Sequence, residues 1–431
     1  MKTITDALQA QPQISDYKIN VHNKQSTELF YVKGRLETVR RTDSCDKEVT
    51  VYVRHGEYLG DARFFVYAST TPQQLAQRIE EAVGKALLID NPVYTLPEGD
   101  AGPAVCRVES NFEEYEPAAL AHRIAKTVHA AVPAAESAAE STALNAVEVF
   151  VNRHTERVIN SRGLDKTQVR YDAMVEAIPT CNGEAMSVEL YEQYNFSRFD
   201  EQALSARIAA RMAEVRARYR AAAPAAPLAG RVVLHAQELG ELFWNIADNA
   251  DYATVYSRSG LFQKGDAVQK DRTGDPIGIT AAGQVPGSCR SAVFDTDGLT
   301  LGSIRVVEDG RMVNYFGSNR YGQYLGEQPT GVLGCLCADA GTADAAAFAA
   351  APYLEVLSMS GLQVDFYSDY IGGEVRLALW HENGSAVPVT GISIAGKLSE
   401  VLGGIRFSRN VVTEGSCRGP ETALLENMQI F

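Results

Sequence analysis

Between Arg220 and Gly230 the chain runs Arg220-Ala221-Ala222-Ala223-Pro224-Ala225-Ala226-Pro227-Leu228-Ala229-Gly230. Small side chains and two prolines offer little to a packed helix or strand, so this stretch predicts an extended, exposed joint. A chain of 431 residues is long enough for two or three cores. The joint sets the expected division: residues 1–222 as one domain, 223–230 as linker, 231–431 as another.

Ahead of the joint, one pattern occurs twice. Tyr17–His22, Glu28–Val32 and Val49–Val53 are β-branched or aromatic runs with polar or glycine breaks, which predicts a strand meander over 17–70. A helix follows, with Thr71 as N-cap, Pro72 at the first helical position and an apolar stripe of Leu75, Ile79, Ala82, Val83 and Ala86. A second helix starts near Pro117 with Leu120, Ile124 and Val128; its His122 and His129 are two turns apart and read as solvated or packed. The small-residue connector 132–141 leads to Ala146–Asn152 and Glu156–Ser161, which read as a hairpin-like pair. Strands over Val169–Ile178 and Met186–Tyr194 follow, and Asp200 caps a long helix bearing Leu204, Ile208, Met212, Val215 and Tyr219. Meander-then-helix units at about 17–88 and 146–220 suggest an internal duplication by pattern.

Beyond the joint the chain is mostly strands. Hairpin turns are expected at Asp309-Gly310 and at His381-Glu382-Asn383-Gly384, a strand at Glu374–Trp380, and short helices at 344–350 and 397–402. Val232-Val233-Leu234 reads as a strand. It runs straight into a helix over 236–249 whose Leu239, Leu242, Phe243, Ile246 and Ala247 follow the spacing of one buried face. The fold class is therefore α+β: an α+β N-terminal domain and a C-terminal domain of mainly antiparallel strands.

A net charge of −14 argues against non-specific nucleic-acid or anionic-membrane binding, because phosphate is repelled. The first residues lack the apolar run of a signal peptide, and no stretch approaches the length of a membrane span, so a cytoplasmic protein is expected. The seven cysteines are scattered without a CxxC pair and read as reduced, packed thiols. Gly391–Leu398 has the GxxxxGK spacing of a phosphate loop, but Leu398 replaces the Ser or Thr that would meet magnesium, and Ile392-Ser393-Ile394 reads as strand. His381-Glu382 lacks the second histidine of a zinc-peptidase helix.

Several segments together carry a resemblance: Phe294-Asp295-Thr296-Asp297-Gly298, Glu308-Asp309-Gly310-Arg311-Met312, Pro329-Thr330-Gly331, Glu382-Asn383-Gly384 with Pro388-Val389, Ile394-Ala395-Gly396-Lys397 and Ser399-Glu400-Val401-Leu402. With the turn Asn160-Ser161-Arg162-Gly163, their order resembles the TldD/PmbA family, known also as modulators of DNA gyrase. The resemblance implies a two-domain chain that works as a dimer on peptides inside an enclosed cavity. TldD-type members carry HExxxH in the helix after the linker and a cysteine ligand near the C-terminus, where two imidazoles and a thiolate hold zinc and the glutamate deprotonates its water.

Here Trp244 stands in place of the first histidine, Asn245 in place of the glutamate and Asn249 in place of the second histidine, with Cys417 about where the thiolate is expected. Indole has no free lone pair, and an amide is a poor base and a poor zinc ligand. A replacement set of His235, Asp248, Asp251 and Cys417 is disfavoured, since His235 lies more than three turns from Asp248. The resemblance is thus to the TldE/PmbA type: no metal or cofactor of its own, zinc expected in a TldD-like partner, and a peptide as substrate. Homodimer and heterodimer both remain open. The alternatives are a non-proteolytic regulatory homodimer of the gyrase-modulator kind and a hydrolase using Cys417 as nucleophile.

Overall fold

The computed structural model describes residues 1–99, 105–133, 140–184, 186–350 and 352–431. In the N-terminal half, α1 (Lys2–Gln9) precedes three long strands, β1 (Asp16–Val32), β2 (Arg35–His55) and β3 (Tyr58–Val66). Helix α2 (Pro72–Ala86) closes that unit. The short β4 (Val105–Arg107), α3 (Pro117–Ala130), β5 (Glu140–Asn160), β6 (Asp165–Gly183), β7 (Ser187–Glu189), β8 (Glu192–Phe196) and α4 (Glu201–Arg220) complete the half. These strands form one eight-stranded sheet in the order β3-β2-β1-β5-β6-β4, with β7 and β8 also paired to β6. The two meander-and-helix units meet at its centre, where β1 runs antiparallel to β5.

Local chemistry accounts for the helices. Thr71 and Gln74 form a reciprocal capping box at α2, and the stripe Leu75, Ile79, Ala82, Val83 and Ala86 is buried as expected. Glu116 caps α3 and Asp200 caps α4 through backbone N–H groups three residues on. The strands are longer than the composition breaks suggest. The expected pair over 146–161 is not a hairpin: residues 146–160 belong to β5, and the turn lies at Ser161-Arg162-Gly163, where Gly163 has φ +81°. His154 and Thr155 stay in strand because β5 is hydrogen-bonded on both sides, to β1 and β6. Likewise, polar residues 22–27 do not interrupt β1, which pairs with β2 and β5 along them. The expected strand at 186–194 divides into β7 and β8. Of the connector 132–141, residues 134–139 lie outside the described part of the chain.

In the C-terminal half, a six-stranded sheet runs, edge to edge, through Arg311–Met312, Ser303–Glu308, Ile279–Ala282, Cys335–Ala338, Cys417–Pro420 and Val411–Glu414. A nine-stranded sheet is built around Thr422–Leu425, Arg231–His235, Tyr353–Met359, Tyr370–Glu382 and Ile392–Lys397. Most pairings are antiparallel; Arg231–His235 with Tyr353–Met359 and Cys335–Ala338 with Cys417–Pro420 are parallel. Helix α5 (Ala236–Ala247) contacts strands of both sheets. Leu239, Leu242, Phe243, Ile246 and Ala247 are at most 1% exposed within one core that draws on both sheets. At about 2 kcal/mol per large apolar side chain, this stripe contributes roughly 8 kcal/mol.

The turns at Asp309-Gly310 and Asn383-Gly384 form as expected, with positive φ at all four residues. Gly391–Leu398 is a strand leading into α8 (Leu398–Gly404), not a phosphate loop. Two short helices, α6 (Tyr252–Ser257) and α7 (Asn319–Leu325), were not legible. The linker is mostly exposed, but it is pinned where Ala222 bridges to Val389 and where Leu228 packs on the C-terminal core. Among the described residues no helix is long and apolar enough to cross a membrane.

The two halves meet in part across the sheet face that carries no helices, and in part where α4 packs on strand Tyr370–Glu382, Val215 against Leu377. Alternation along β1 sends Tyr17 and Ile19 towards the helices and Lys18, Asn20 and His22 the other way. Lys18 pairs with Asp297, and Lys166 donates to Gly298 O at 3.1 Å. Gln168 donates to Phe294 O at 3.1 Å and accepts from Val293 N at 2.8 Å. On the other side, close backbone approach holds α2: a Cβ at Gly60 of β3 would sit 1.7 Å from Ala86 O and 2.8 Å from Ile89 O. Replacing Gly60 by Ala must therefore push α2 off the sheet, with a predicted loss of about 3 kcal/mol in urea unfolding. A variant as stable as the wild type would contradict this packing.

Candidate functional site

Each residue that the resemblance sets against the zinc motif, Trp244 and Asn245 on α5 and Asn249 in the turn that follows it, is hydrogen-bonded in a structural role. The Trp244 indole N–H donates to Ser416 Oγ at 2.8 Å. Asn245 donates back to Glu241 O of its own helix at 2.8 Å. Asn249, only 8% exposed, donates to Asn245 O at 2.9 Å and accepts from Leu261 N at 3.0 Å. These are the contacts of a helix surface and a cap, with no lone pair turned to a common point. The structure does bring Cys417 to this helix. It lies on the strand beside α5, where a Cβ at Gly240 would meet its own Cβ at 3.5 Å.

Residues 229–431 match the model of the PmbA/TldA metallopeptidase C-terminal domain. The C-terminal half of the chain belongs to the PmbA/TldD family. TldE from Thermococcus kodakarensis superimposes with a TM-score of 0.79 at 15% identity, over 99% of both chains. A proposed modulator of a DNA gyrase from Thermotoga maritima gives 0.75 at 15% identity over 100% of both chains. A protein described in the same words from Bacteroides thetaiotaomicron gives 0.79 at 12% identity, over 100% of this chain and 98% of its own. At such identities the likeness is one of fold, and it extends over both halves. No curated protein sequence matches the chain.

Within this PmbA/TldD domain the other candidate ligands go elsewhere. His235 Nε2 lies 3.2 Å from Glu355 Oε1, and His381 Nε2 lies 2.8 Å from Glu355 Oε2, so one carboxylate holds two imidazoles. Burial works against the His235 imidazolium, but the Glu355 hydrogen bond and charge outweigh it and keep its pKa above the ordinary value. Asp248 is exposed, and Asp251 caps α6 by accepting from Ala253 N at 2.8 Å. His235, Asp248, Asp251 and Cys417 therefore do not assemble into a site. Burial, then the neighbouring Cys337 and Cys335, push the Cys417 thiol up to about 12. A thiol so raised is almost wholly protonated at neutral pH, which argues against its use as a nucleophile.

Charge at the foot of α5 is buried instead. Arg211 of α4 pairs with Glu192 and, at 2.5 Å, with Glu214, and donates to Leu357 O at 3.3 Å across the halves. Beside it sits Glu238, 8% exposed in the first turn of α5. Burial raises its carboxyl from 4.5 to about 7. The fold thus keeps a proton that the unfolded chain releases, so stability falls as pH rises from about 4.5 to 7 and is level above. Across that window Glu238 accounts for roughly 3 kcal/mol. Glu238→Gln is predicted to gain stability over the wild type at pH 8 but not at pH 4.5, in urea unfolding at both; an equal difference at the two pH values would refute the assignment.

Sequence reading missed one group. Among the described residues, His22, His154 and Glu156 alone gather metal-ligating atoms closely enough to share an ion. His154-x-Glu156 on a β-strand puts both on one face, which was a readable signal. His22 joins them only through the pairing of β1 with β5, which nothing in the sequence announces.

Proposed function

We propose that this chain is a TldE/PmbA-like subunit of a cytoplasmic peptidase system, with no zinc at α5, and that it supplies cavity wall or peptide-binding surface to a TldD-like metallopeptidase. The observation that carries the reading is the state of α5. Its family framework is intact, with the helix between two sheets and Cys417 alongside, while Trp244, Asn245 and Asn249 spend their polar atoms on Ser416, helix carbonyls and Leu261. Zinc chemistry needs convergent lone pairs and a base, and these side chains offer neither. Peptide capture would use backbone pairing: Val411–Glu414, at one edge of the six-stranded sheet and in contact with α5, presents an unpaired side.

Co-purification from the host, followed by hydrolysis of an unfolded peptide, tests this. The expected result is a complex with a chain bearing HExxxH, peptidase activity in the complex that a chelator abolishes, and none in this chain alone. Hydrolysis by this chain alone would overturn the proposal. A lone homodimer without a peptidase partner would favour the regulatory reading instead.

A further inference from the structure

We infer that His22, His154 and Glu156 form a binding site for one divalent transition-metal ion, zinc above all, on the face of the N-terminal sheet turned towards the C-terminal half. His22 of β1 and Glu156 of β5 are directly paired across the strands, and His154 lies two residues before Glu156 on the same face. Their ligand atoms all fall within 4.8 Å of one another. His22 Nε2 is 2.9 Å from His154 Nδ1 and 3.9 Å from Glu156 Oε1. Two nitrogens on tetrahedral zinc stand about 3.3 Å apart, so the pair must open by a few tenths of an ångström. His22, whose side chain is 42% exposed, has room to supply that movement.

Two imidazoles and a carboxylate make a ligand set that zinc accepts with a fourth position open. Imidazole donors favour zinc over magnesium or calcium. The surroundings hold these donors from behind. Asp172 Oδ2 lies 2.7 Å from His154 Nε2, close enough to act on it by charge although the ring N–H is not aligned for a hydrogen bond, and Asn152 donates to Asp172 Oδ1 at 2.6 Å. Gln168 donates to Glu156 Oε2 at 2.8 Å, leaving Oε1 as the ligand atom.

Arg170 is the competitor. Its Nε and Nη2 donate to that same Oε1 at 3.1 and 2.9 Å, and it balances one of the two carboxylate charges. With neutral imidazoles, Glu156, Asp172 and Arg170 leave one net negative charge for the cation. Access is open, because His22 borders two cavities between the halves, and one of about 420 Å³ also has Glu156 in its wall. The site is separate from the positions on α5, so it stands or falls independently of the peptidase-subunit reading.

Full-length protein stripped with a chelator and titrated with Co²⁺, then with Zn²⁺, tests the assignment. The expected result is one equivalent of Co²⁺ with visible d–d absorption, displaced by Zn²⁺. His22→Asn, His154→Asn and Glu156→Gln should each weaken Zn²⁺ binding about tenfold or more. Cys417→Ser should leave it unchanged. Melting temperature checks the fold of each variant, and the half-exposed His22 makes His22→Asn the safest of the three. No saturable binding of either ion, or binding that survives both histidine replacements, would overturn the site and leave a metal-free hydrogen-bond network.

Discussion

Helix α5 lies between two sheets, held there by an apolar row that, Glu238 in the first turn apart, makes up its large buried side chains. Leu239, Leu242, Phe243 and Ile246 fill the space where the six-stranded and nine-stranded sheets meet, and both sheets lean on that single row. Strand Arg231–His235 delivers the chain directly into the helix. Cys417–Pro420 and Thr422–Leu425, one residue apart in sequence, belong to different sheets and flank α5 from either side. The interlayer position explains how the helix keeps its place with no metal. Burial holds it there with no help from coordination.

The junction between the halves is more mixed. Small apolar clusters span it, Val215 with Leu377 and Leu164 with Phe294, but many of its contacts are charges and amides: Lys18 with Asp297, Lys166 and Gln168 on the backbone of 293–300, and Arg211 among glutamates beside α5. Polar contacts of this kind fix register and orientation more than they add stability, since each group gives up water to make them. They also leave clefts. The histidine-rich face of the N-terminal sheet lines those clefts, while the apolar faces are all used for cores.

Legibility in the sequence followed the same physics. Elements read correctly were those with a local chemical signal: the Thr71–Gln74 capping box with Pro72, the Asp200 cap, the Asp309-Gly310 turn and the apolar stripe of α5. What failed were inferences that needed partners distant in sequence. Polar residues inside β1 and β5 looked like breaks, yet each strand is paired on both sides there, and one partner of each, β5 for β1 and β1 for β5, lies more than a hundred residues away. The same gap hid the approach of His22 to His154, residues 132 apart. Setting Trp244, Asn245 and Asn249 against the zinc-motif positions rests on the family resemblance alone. Their hydrogen bonds to Ser416, the helix backbone and Leu261 were not legible: Ser416 is 172 residues from Trp244, and the loop after α6 carries no periodic signal.

The central claim is that α5 keeps a metallopeptidase framework from which only the ligands are missing. Putting them back tests it most directly: Trp244→His, Asn245→Glu and Asn249→His in one protein, with bound zinc measured against the wild type. The account predicts one further equivalent of Zn²⁺, lost again when Cys417→Ser is added. A triple variant that folds but binds no more zinc than the wild type would contradict it, as would extra zinc that ignores the loss of Cys417.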